Sequence, residues 1–599
     1  MTADHVTAPG GRAAVRRALP AWLALNAAVA LAIGHAYVRS AGVTPAWDAA
    51  LYAHLAFAAP ILASALLLGA VCAAGTLLPR GALLVRWGGP AGAAVLLGFL
   101  WVDRAAFATY RFHVGGLAWS TLGVPGALSE LGVWPASPGG LVAVLVLLAL
   151  LDGWLLRWLA PPATRSAGSH GAARRWGWLA ATALTVLIAE RGLFLAAERS
   201  GRRDIVRMVS LVPFYPTLMS SDLARAAPAV AATLSGPAGG AGPAPPPVSF
   251  RPDAPHWNVL WIVLDSWRAD AMTPDLTPVV SALARRSTVF RAHTSGGDAT
   301  RYGLVSMFYG IPASTWSRLE LERRAPPLLA TLRDRGWRLG VFTSVDMPDV
   351  LSVVFADVPD TSRLTTPPGR GAAKDRETIR NFERFIAAPR DGHPFFAFVH
   401  LISTHLPYDP TCRLPRDATG SRPRYERAIR CADRLVARAL RAVSLADTIV
   451  VVTADHGEAF GEQGVFGHSA GFTLPQLRVP LVLHVPGRAP GVIDYPTTHH
   501  DLAATMLDAL GAASPGSAAG IGRSLFDGVP APRLFACNMN ECAIHDDDGS
   551  VTFGIGARYP GELEIRDRDG ARVPAGGDIG RRRVAQVMDL LALQRGALP

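Results

Sequence analysis

The chain is expected to be a five-helix membrane-spanning domain followed by an α/β domain built on a mostly parallel sheet. Three observations predict this. Five apolar stretches, each near the ~20 residues that cross a bilayer as a helix, fall before about position 200. A Pro/Gly/Ala run, SGPAGGAGPAPPPVSF at 235–250, can build neither helix nor strand core and reads as a linker. From Asn258 onward, short apolar runs alternate with helical stretches. The expected division is 1–200 for the membrane part, 201–250 for an interfacial segment and linker, and 251–599 for the α/β domain.

The spans lie near 22–38, 55–77, 88–102, 141–159 and 179–196. The third is the weakest, because Gly88 and Pro90 interrupt it and Asp103 and Arg104 close it. No cleavable signal pattern precedes them. Orientation follows from the short loops. Arg12, Arg16 and Arg17 precede the first span, Arg80 and Arg86 separate the second from the third, and Arg157, Arg165, Arg174 and Arg175 separate the fourth from the fifth. The alternate loops carry fewer. The N-terminus is therefore expected in the cytoplasm. An odd number of spans then puts everything after about position 200 outside, which in a Gram-negative cell means the periplasm.

The net charge is +11, and Lys374 is the single lysine. An arginine-rich composition alone explains such a charge; attraction to anionic lipid or nucleic acid is the functional alternative. No basic nucleic-acid motif stands out, so nucleic acid is not expected as a partner and anionic lipid is. The stretch RRDIVRMVSLVPFYPTLMSSDLARAA at 202–227 mixes basic and apolar groups like an interfacial segment. Arg202, Arg203 and Arg207 are its candidate lipid-phosphate ligands; an ordinary juxtamembrane helix is the plain alternative. YRFHVGGLAW at 110–119 is a second interfacial piece.

In the α/β part, NVLWIVLD, RLGVFTS, PFFAFVHLIS, TIVVVTADH and PLVLHVPG are continuous apolar runs, as expected of strands buried on both faces. TPVVSALARRS, APPLLATLRDRG, ETIRNFERFIAA, ERAIRCADRLVARALRAV and HDLAATMLDALGAA read as the helices between them. Ligands gather at the carboxyl ends of parallel strands. Two of these strands end in metal-type ligands: Asp265 after the first, Asp455 and His456 after TIVVV. Two carboxylates and an imidazole at one sheet edge can hold a divalent cation. Thr300, in SGGDATRYG, offers a hydroxyl as ligand or nucleophile. His405, in STHLPYDP, and His468, in GHS, can hydrogen-bond an anionic substrate or protonate a leaving group. Arg268 and Arg301 can add positive charge near a phosphoryl group. Each has a plainer reading: Asp265 as a helix N-cap, Thr300 as a loop residue, His405 as a turn-former. His499-His500 opens a helix, and capping or packing is favoured there over metal binding.

Asp265 after N-V-L-x-I-V-L, a Thr some 35 residues on, S-T-H-L-P-Y, then A-D-H-G-E and G-H-S together resemble the alkaline phosphatase/sulfatase superfamily. With five spans ahead, and with YRFH at 110–113, LVPFYP at 211–216, TSGGDATRYGLVSMFYGIP at 294–312 and FGHSAGFTLPQLRVPLVLHVPG at 466–487, the chain looks most like the PbgA/YejM group of inner-membrane sulfatase-like proteins. The resemblance implies a sulfatase/alkaline-phosphatase-like fold and one divalent ion, with Mg, Mn, Zn and Ca all open. It assigns Asp265, Thr300, Asp455 and His456 to that ion, Thr300 to nucleophilic attack, and His405 and His468 to substrate. It also implies a role at the periplasmic face in lipopolysaccharide and outer-membrane lipid homeostasis, with lipid A as partner and an inner-membrane protein as a further one.

One departure matters. Formylglycine-dependent sulfatases need Cys or Ser in C/S-x-P-x-R, whereas this chain has Thr300-Arg301-Tyr302-Gly303-Leu304. Three functions follow: a metal-dependent phosphoesterase-type hydrolase with a Thr nucleophile, a phosphoethanolamine-type transferase on lipid A, or a lipid A sensor with little turnover. Five cysteines are present. Those outside the spans permit two disulfides, with Cys412–Cys431 and Cys537–Cys542 preferred.

Overall fold

The computed structural model describes residues 9–40, 47–78, 81–110, 113, 137–160, 169–199, 202, 205, 207–213 and 215, and then 248–596 with gaps at 323–324, 357, 359–362, 365–370, 390–391, 409–420, 470, 519, 532, 540, 555–562 and 575–576. The chain forms two compact units, Met1–Leu234 and Ser235–Pro599.

The first unit holds α1 (Pro9–Ser40), α2 (Trp47–Gly75), α3 (Gly81–Tyr110), α4 (Pro138–Leu159) and α5 (Ser169–Arg199). All five are long and apolar enough to cross a membrane. α1, α3 and α5 overrun their apolar stretches at both ends, and α2 and α4 at the N-terminal end alone. Pro90 does not break α3; membrane helices tolerate proline because neighbouring groups satisfy the carbonyl it frees.

At one end of this unit Tyr37, Tyr52, Phe57, Phe107 and Phe194 pack with Met208, Leu211 and Val212 of a short 3-10 turn, Arg207–Leu211. Buried carboxylates are expensive among membrane helices unless partnered, and both carboxylates here are. Asp103 accepts from the Tyr37 hydroxyl at 2.6 Å and meets His113 at 2.8 Å. Glu190 accepts from Tyr52 at 2.7 Å and from Arg191 at 2.8 Å, and Tyr215 bonds it too. The YRFH and LVPFYP segments thus each return a side chain to the bundle. Of the three candidate lipid arginines, Arg202 pairs with Asp48 at 2.5 Å, Arg207 opens the 3-10 turn, and Arg203 lies outside the described residues.

The second unit contains, in chain order, β1 (Asn258–Leu264), α6 (Pro278–Ala284), β2 (Thr288–Phe290), β3 (His293–Thr294), α7 (Thr300–Tyr309), α8 (Pro327–Asp334), β4 (Arg338–Thr343), β5 (Arg363–Leu364), α9 (Gly371–Ala387), β6 (Phe395–Leu401), α10 (Ser421–Arg441), β7 (Thr448–Thr453), β8 (Ala459–Phe460), β9 (Phe466–Gly467), β10 (Leu481–His484), β11 (Gly491–Ile493), β12 (Thr497–Thr498) and α11 (Leu502–Ala509). An eight-stranded sheet runs β11-β2-β10-β7-β1-β6-β4-β5. β1 lies parallel to both β7 and β6, while β10 is antiparallel to its neighbours.

Every residue of β1, β6 and β7 is buried, because helices cover both faces. Val259, Trp261 and Val263 face one core, closed by α7, α8 and α11; Leu260, Ile262 and Leu264 face the other, closed by α6, α9 and α10. Burying each such large apolar side chain stabilises by about 1.5–3 kcal/mol. Trp261 and Phe308 of α7 meet with ring centroids 5.1 Å apart, which lays α7 along the first face.

A five-stranded antiparallel sheet follows: β13 (Leu534–Cys537), β14 (Glu541–Asp546), β15 (Gly549–Gly554), β16 (Leu563–Arg566) and β17 (Arg572–Val573). The sequence reading did not foresee it. The last helix, α12 (Gly577–Gly596), follows it, and Val587 and Leu590 of that helix share the sheet's core. Cys537 and Cys542 form a disulfide across β13 and β14. Cys431 is disulfide-bonded, and Cys412 lies outside the described residues.

Candidate metal centre

Strand alternation builds the site. On β1 the odd positions face α7; on β6 Phe396 and Phe398 do; on β7 Ile449 and Val451 do. Continuing each series by steps of two reaches Asp265, His400 and Asp455 at the carboxyl edge. The register sets them side by side, with Val263 opposite both His400 and Thr453. His400 Nε2 lies 3.7 Å from Asp265 Oδ2 and 3.5 Å from Asp455 Oδ2. All three side chains are buried, and their ligand atoms lie within 4.8 Å of one another.

His456 and Thr300 complete the group. His456 Nε2 is 3.8 Å from Asp265 Oδ1 and 3.6 Å from Asp455 Oδ2. Its Nδ1–H donates to the Gly457 carbonyl at 2.8 Å, which leaves Nε2 as the coordinating nitrogen. Thr300 begins α7, and its hydroxyl is 3.4 Å from Asp265 Oδ2 and 3.3 Å from His456 Nε2. One turn later, Gly303 allows this approach. A Cβ there would stand 2.1 Å from the Asp455 carbonyl oxygen.

The donor set fits a divalent cation. Asp455 Oδ1 accepts from the Ser266 and His456 amides at 3.1 and 3.0 Å. Ser266 reaches it from a left-handed backbone, φ 61°. Asp455 Oδ2 and both His400 nitrogens are buried with no hydrogen-bond partner. Such atoms are costly to leave unpaired. Burial alone would raise the Asp455 pKa, but His456 and His400 bring it well below the usual carboxylate range. Burial likewise opposes a charged His456, yet Asp455 and Asp265 hold its pKa above the ordinary value. The pocket is built for positive charge.

The remaining candidates fall in two groups. His468 lies beside both His456 and His405, tilted to the first and edge-on to the second, with ring centroids 4.3 and 4.8 Å away. Its Nδ1 meets Glu458 at 3.2 Å, and Tyr408 donates to the other Glu458 oxygen at 3.2 Å. Burial would raise the Glu458 pKa, but His468, His405 and His456 lower it overall. The arginines are engaged elsewhere. Arg268 pairs with Asp270 and Glu462, each at 2.7 Å, and donates to the Glu458 carbonyl at 2.9 Å. It braces the loop rather than presenting a free guanidinium to substrate. Arg301 lies over the Trp316 ring, 4.7 Å from its centroid, and 3.9 Å from the Met539 sulfur.

Sequence reasoning passed over His400 and Glu458. The signal for His400 was present: a lone imidazole in the all-apolar run PFFAFVHL, in step with Phe396 and Phe398.

Residues 257–512 match the sulfatase family model. The chain is 25% identical over 307 residues to an uncharacterized protein of Haemophilus influenzae, covering 51% of this chain and 48% of the relative. It is 24% identical over 261 residues to the inner membrane protein YejM of Salmonella typhi, covering 42% and 41%. Residues 257–512 thus form a sulfatase-like domain, and the chain is similar to YejM. The matches span less than half the length of these curated relatives. Among solved structures, a protein of the alkaline phosphatase superfamily from Vibrio parahaemolyticus aligns with TM-score 0.43 and 17% identity over 59% of this chain and 90% of that one. The lipoteichoic acid synthase LtaP of Listeria monocytogenes aligns with TM-score 0.41 and 15% identity, over 59% and 97%. The sulfatase-family domain places its Thr, not a Cys or Ser, at the head of α7.

Proposed function

We propose that the sulfatase-family domain is a metal-dependent hydrolase of phosphate esters, with Thr300 as the reacting hydroxyl. Its substrate would be an anionic lipid phosphate, of the lipid A kind, at the periplasmic face of the inner membrane. The observation that carries this reading is the convergence of Thr300 Oγ with two buried carboxylates and two imidazoles, among which Asp455 Oδ2 and both His400 nitrogens have no hydrogen-bond partner. Asp265, His400, Asp455, His456 and the Thr300 hydroxyl would hold the cation. Imidazole with carboxylate donors suits zinc or manganese better than calcium. Such a cation neutralises charge on phosphoryl oxygens and acidifies a neighbouring hydroxyl.

The protein's own groups supply the rest. The Thr300 hydroxyl donates toward Asp265 Oδ2, so the proton leaves in that direction as the Oγ–P bond forms and the ester P–O bond breaks. His468, beside His456 and His405, and His405 itself would hold phosphoryl oxygens or protonate the departing one. Water then releases phosphate from Thr300. Without the formylglycine motif, sulfate esters are not the expected substrate.

The test uses the full-length protein in nanodiscs. Phosphate release from an aryl phosphate and from lipid A is measured with zinc or manganese, beside sulfate release from an aryl sulfate. Phosphate release that a chelator abolishes supports the proposal. Sulfate release alone would overturn it. Transfer of the phospho-group to an added acceptor, without free phosphate, would assign the site to a transferase. Lipid binding with no turnover would make it a sensor.

A further inference from the structure

A buried run of side chains outside the metal centre ends on the loop that carries it. β3 and β12 form a two-stranded parallel ribbon pairing His293 with Thr497 and Thr294 with Thr498. From this ribbon the Thr497 hydroxyl meets His293 Nδ1 at 3.0 Å, and His293 Nε2 meets His499 Nδ1 at 2.8 Å. His499 Nε2 then meets the Ala454 carbonyl at 2.9 Å. A carbonyl only accepts, so His499 carries its proton on Nε2 and accepts on Nδ1. His293 must then donate from Nε2 and accept from Thr497. Every link is satisfied by this single arrangement of neutral rings. Burial favours it, holding His499 down to about 4 and His293 well below its ordinary value.

The far end of the run matters for the site. Ala454 O belongs to the peptide immediately before Asp455. The next carbonyl, that of Asp455 itself, accepts from Ser295 Oγ at 2.6 Å, and Ser295 directly follows β3. The ribbon therefore holds the peptide on each side of the Asp455 Cα. With both planes fixed, Oδ1 stays on the Ser266 and His456 amides and Oδ2 stays turned to His400. The nitrogens of His293 and His499 are all spent in this run. Among the described residues, the grouped metal donors are Asp265, His400 and Asp455, and no histidine of this run is among them.

We propose that His499, backed by His293 and Thr497, is a positioning residue that orients Asp455 and so sets the affinity of the centre for its cation. The inference rests on the metal-centre reading above. Groups that orient metal ligands typically change affinity by about 10–100-fold when removed.

The experiment measures zinc affinity of the full-length, detergent-solubilised protein by competition with a chromogenic chelator, independently of turnover. His499→Leu should bind zinc about 10–100-fold more weakly. His499→Gln, whose side-chain amide places an N–H where Nε2–H stood, should recover most of the loss. Thr497→Val keeps the shape, removes the distal donor and should shift affinity in the same direction by less. Melting of the metal-free forms and circular dichroism check that each variant is folded. Wild-type affinity in a folded His499→Leu, or Gln no better than Leu, overturns the proposal. If His499→Leu does not fold, Gln and Val decide: unchanged affinity in Val together with weak binding in Gln would overturn it. No zinc binding by the wild type overturns the metal-centre reading as well, whereas equal binding by all forms overturns only this inference.

Discussion

The Thr300 hydroxyl lies 3.3 Å from Nε2 of His456, although the two residues are 156 positions apart in the chain. One stands at the head of a helix and the other just past the end of a strand. They meet because α7 packs along the face of the sheet on which β1, β6 and β7 end in Asp265, His400 and Asp455.

Asp455→Asn should abolish metal-dependent stabilisation. A ligand at a hundredfold excess over its dissociation constant stabilises the folded state by about 2.7 kcal/mol. Zinc should therefore raise the melting temperature of the wild type by several degrees, and a chelator should reverse it. The variant should melt at one temperature with or without zinc. A zinc shift retained in Asp455→Asn would remove Asp455 from the centre.

His400→Phe replaces one flat ring by another of similar volume beside Phe398, whose ring centroid lies 5.8 Å away. The fold should survive, since the substitution removes two buried nitrogens that have no protein partner. Zinc affinity should fall at least tenfold, a loss comparable to that of removing a ligand or its immediate support. Unchanged affinity by calorimetry would make His400 a passive neighbour.

Gly303→Ala should be poorly tolerated, because the added methyl would stand 2.1 Å from the Asp455 carbonyl oxygen. Forcing α7 away from the sheet edge costs about 1–3 kcal/mol, as overpacking does elsewhere. It should also draw Thr300 off the centre. Thermal melting and zinc affinity should both decline; a variant normal in both would show that α7 has room to move.

The C-terminal helix makes a pH-dependent contact. Asp546 accepts from Arg583 at 2.6 Å and from Gln586 at 2.7 Å. Burial would raise its pKa, but these two partners lower it below the ordinary 3.8. A depressed carboxylate stabilises the fold above its unfolded value and loses that contribution as pH falls through the folded one. Asp546→Asn should therefore lower the melting temperature at pH 7, with the gap from wild type narrowing below pH 3.8. A gap that stays constant or widens on acidification would contradict this.

Much of this was legible in the sequence. Continuous apolar runs marked β1, β4, β6, β7 and β10, since strands covered on both faces need apolar residues at every position. Asp265, Thr300, Asp455 and His456 were legible because charged or hydroxyl groups at strand and helix ends are conspicuous against those runs. His400 was passed over although its lone imidazole stands out in an apolar strand; its neighbours come from the register of β6 against β1. The antiparallel sheet β13–β17 was missed: its strands are short, down to the two residues Arg572–Val573 of β17, and runs that brief between turn residues read as loops. From the sequence, Arg268 is a candidate for adding positive charge near a phosphoryl group. Its pairing with Asp270 is local, while that with Glu462 depends on a loop 194 residues away.

The most direct test of the central claim is turnover of an aryl phosphate by the full-length protein, wild type beside Thr300→Ala, with zinc binding measured on both. If Thr300 attacks phosphorus, activity should fall by about a hundredfold or more in a variant that still binds zinc through the remaining ligands. Equal turnover by a folded, zinc-bound Thr300→Ala would contradict the account.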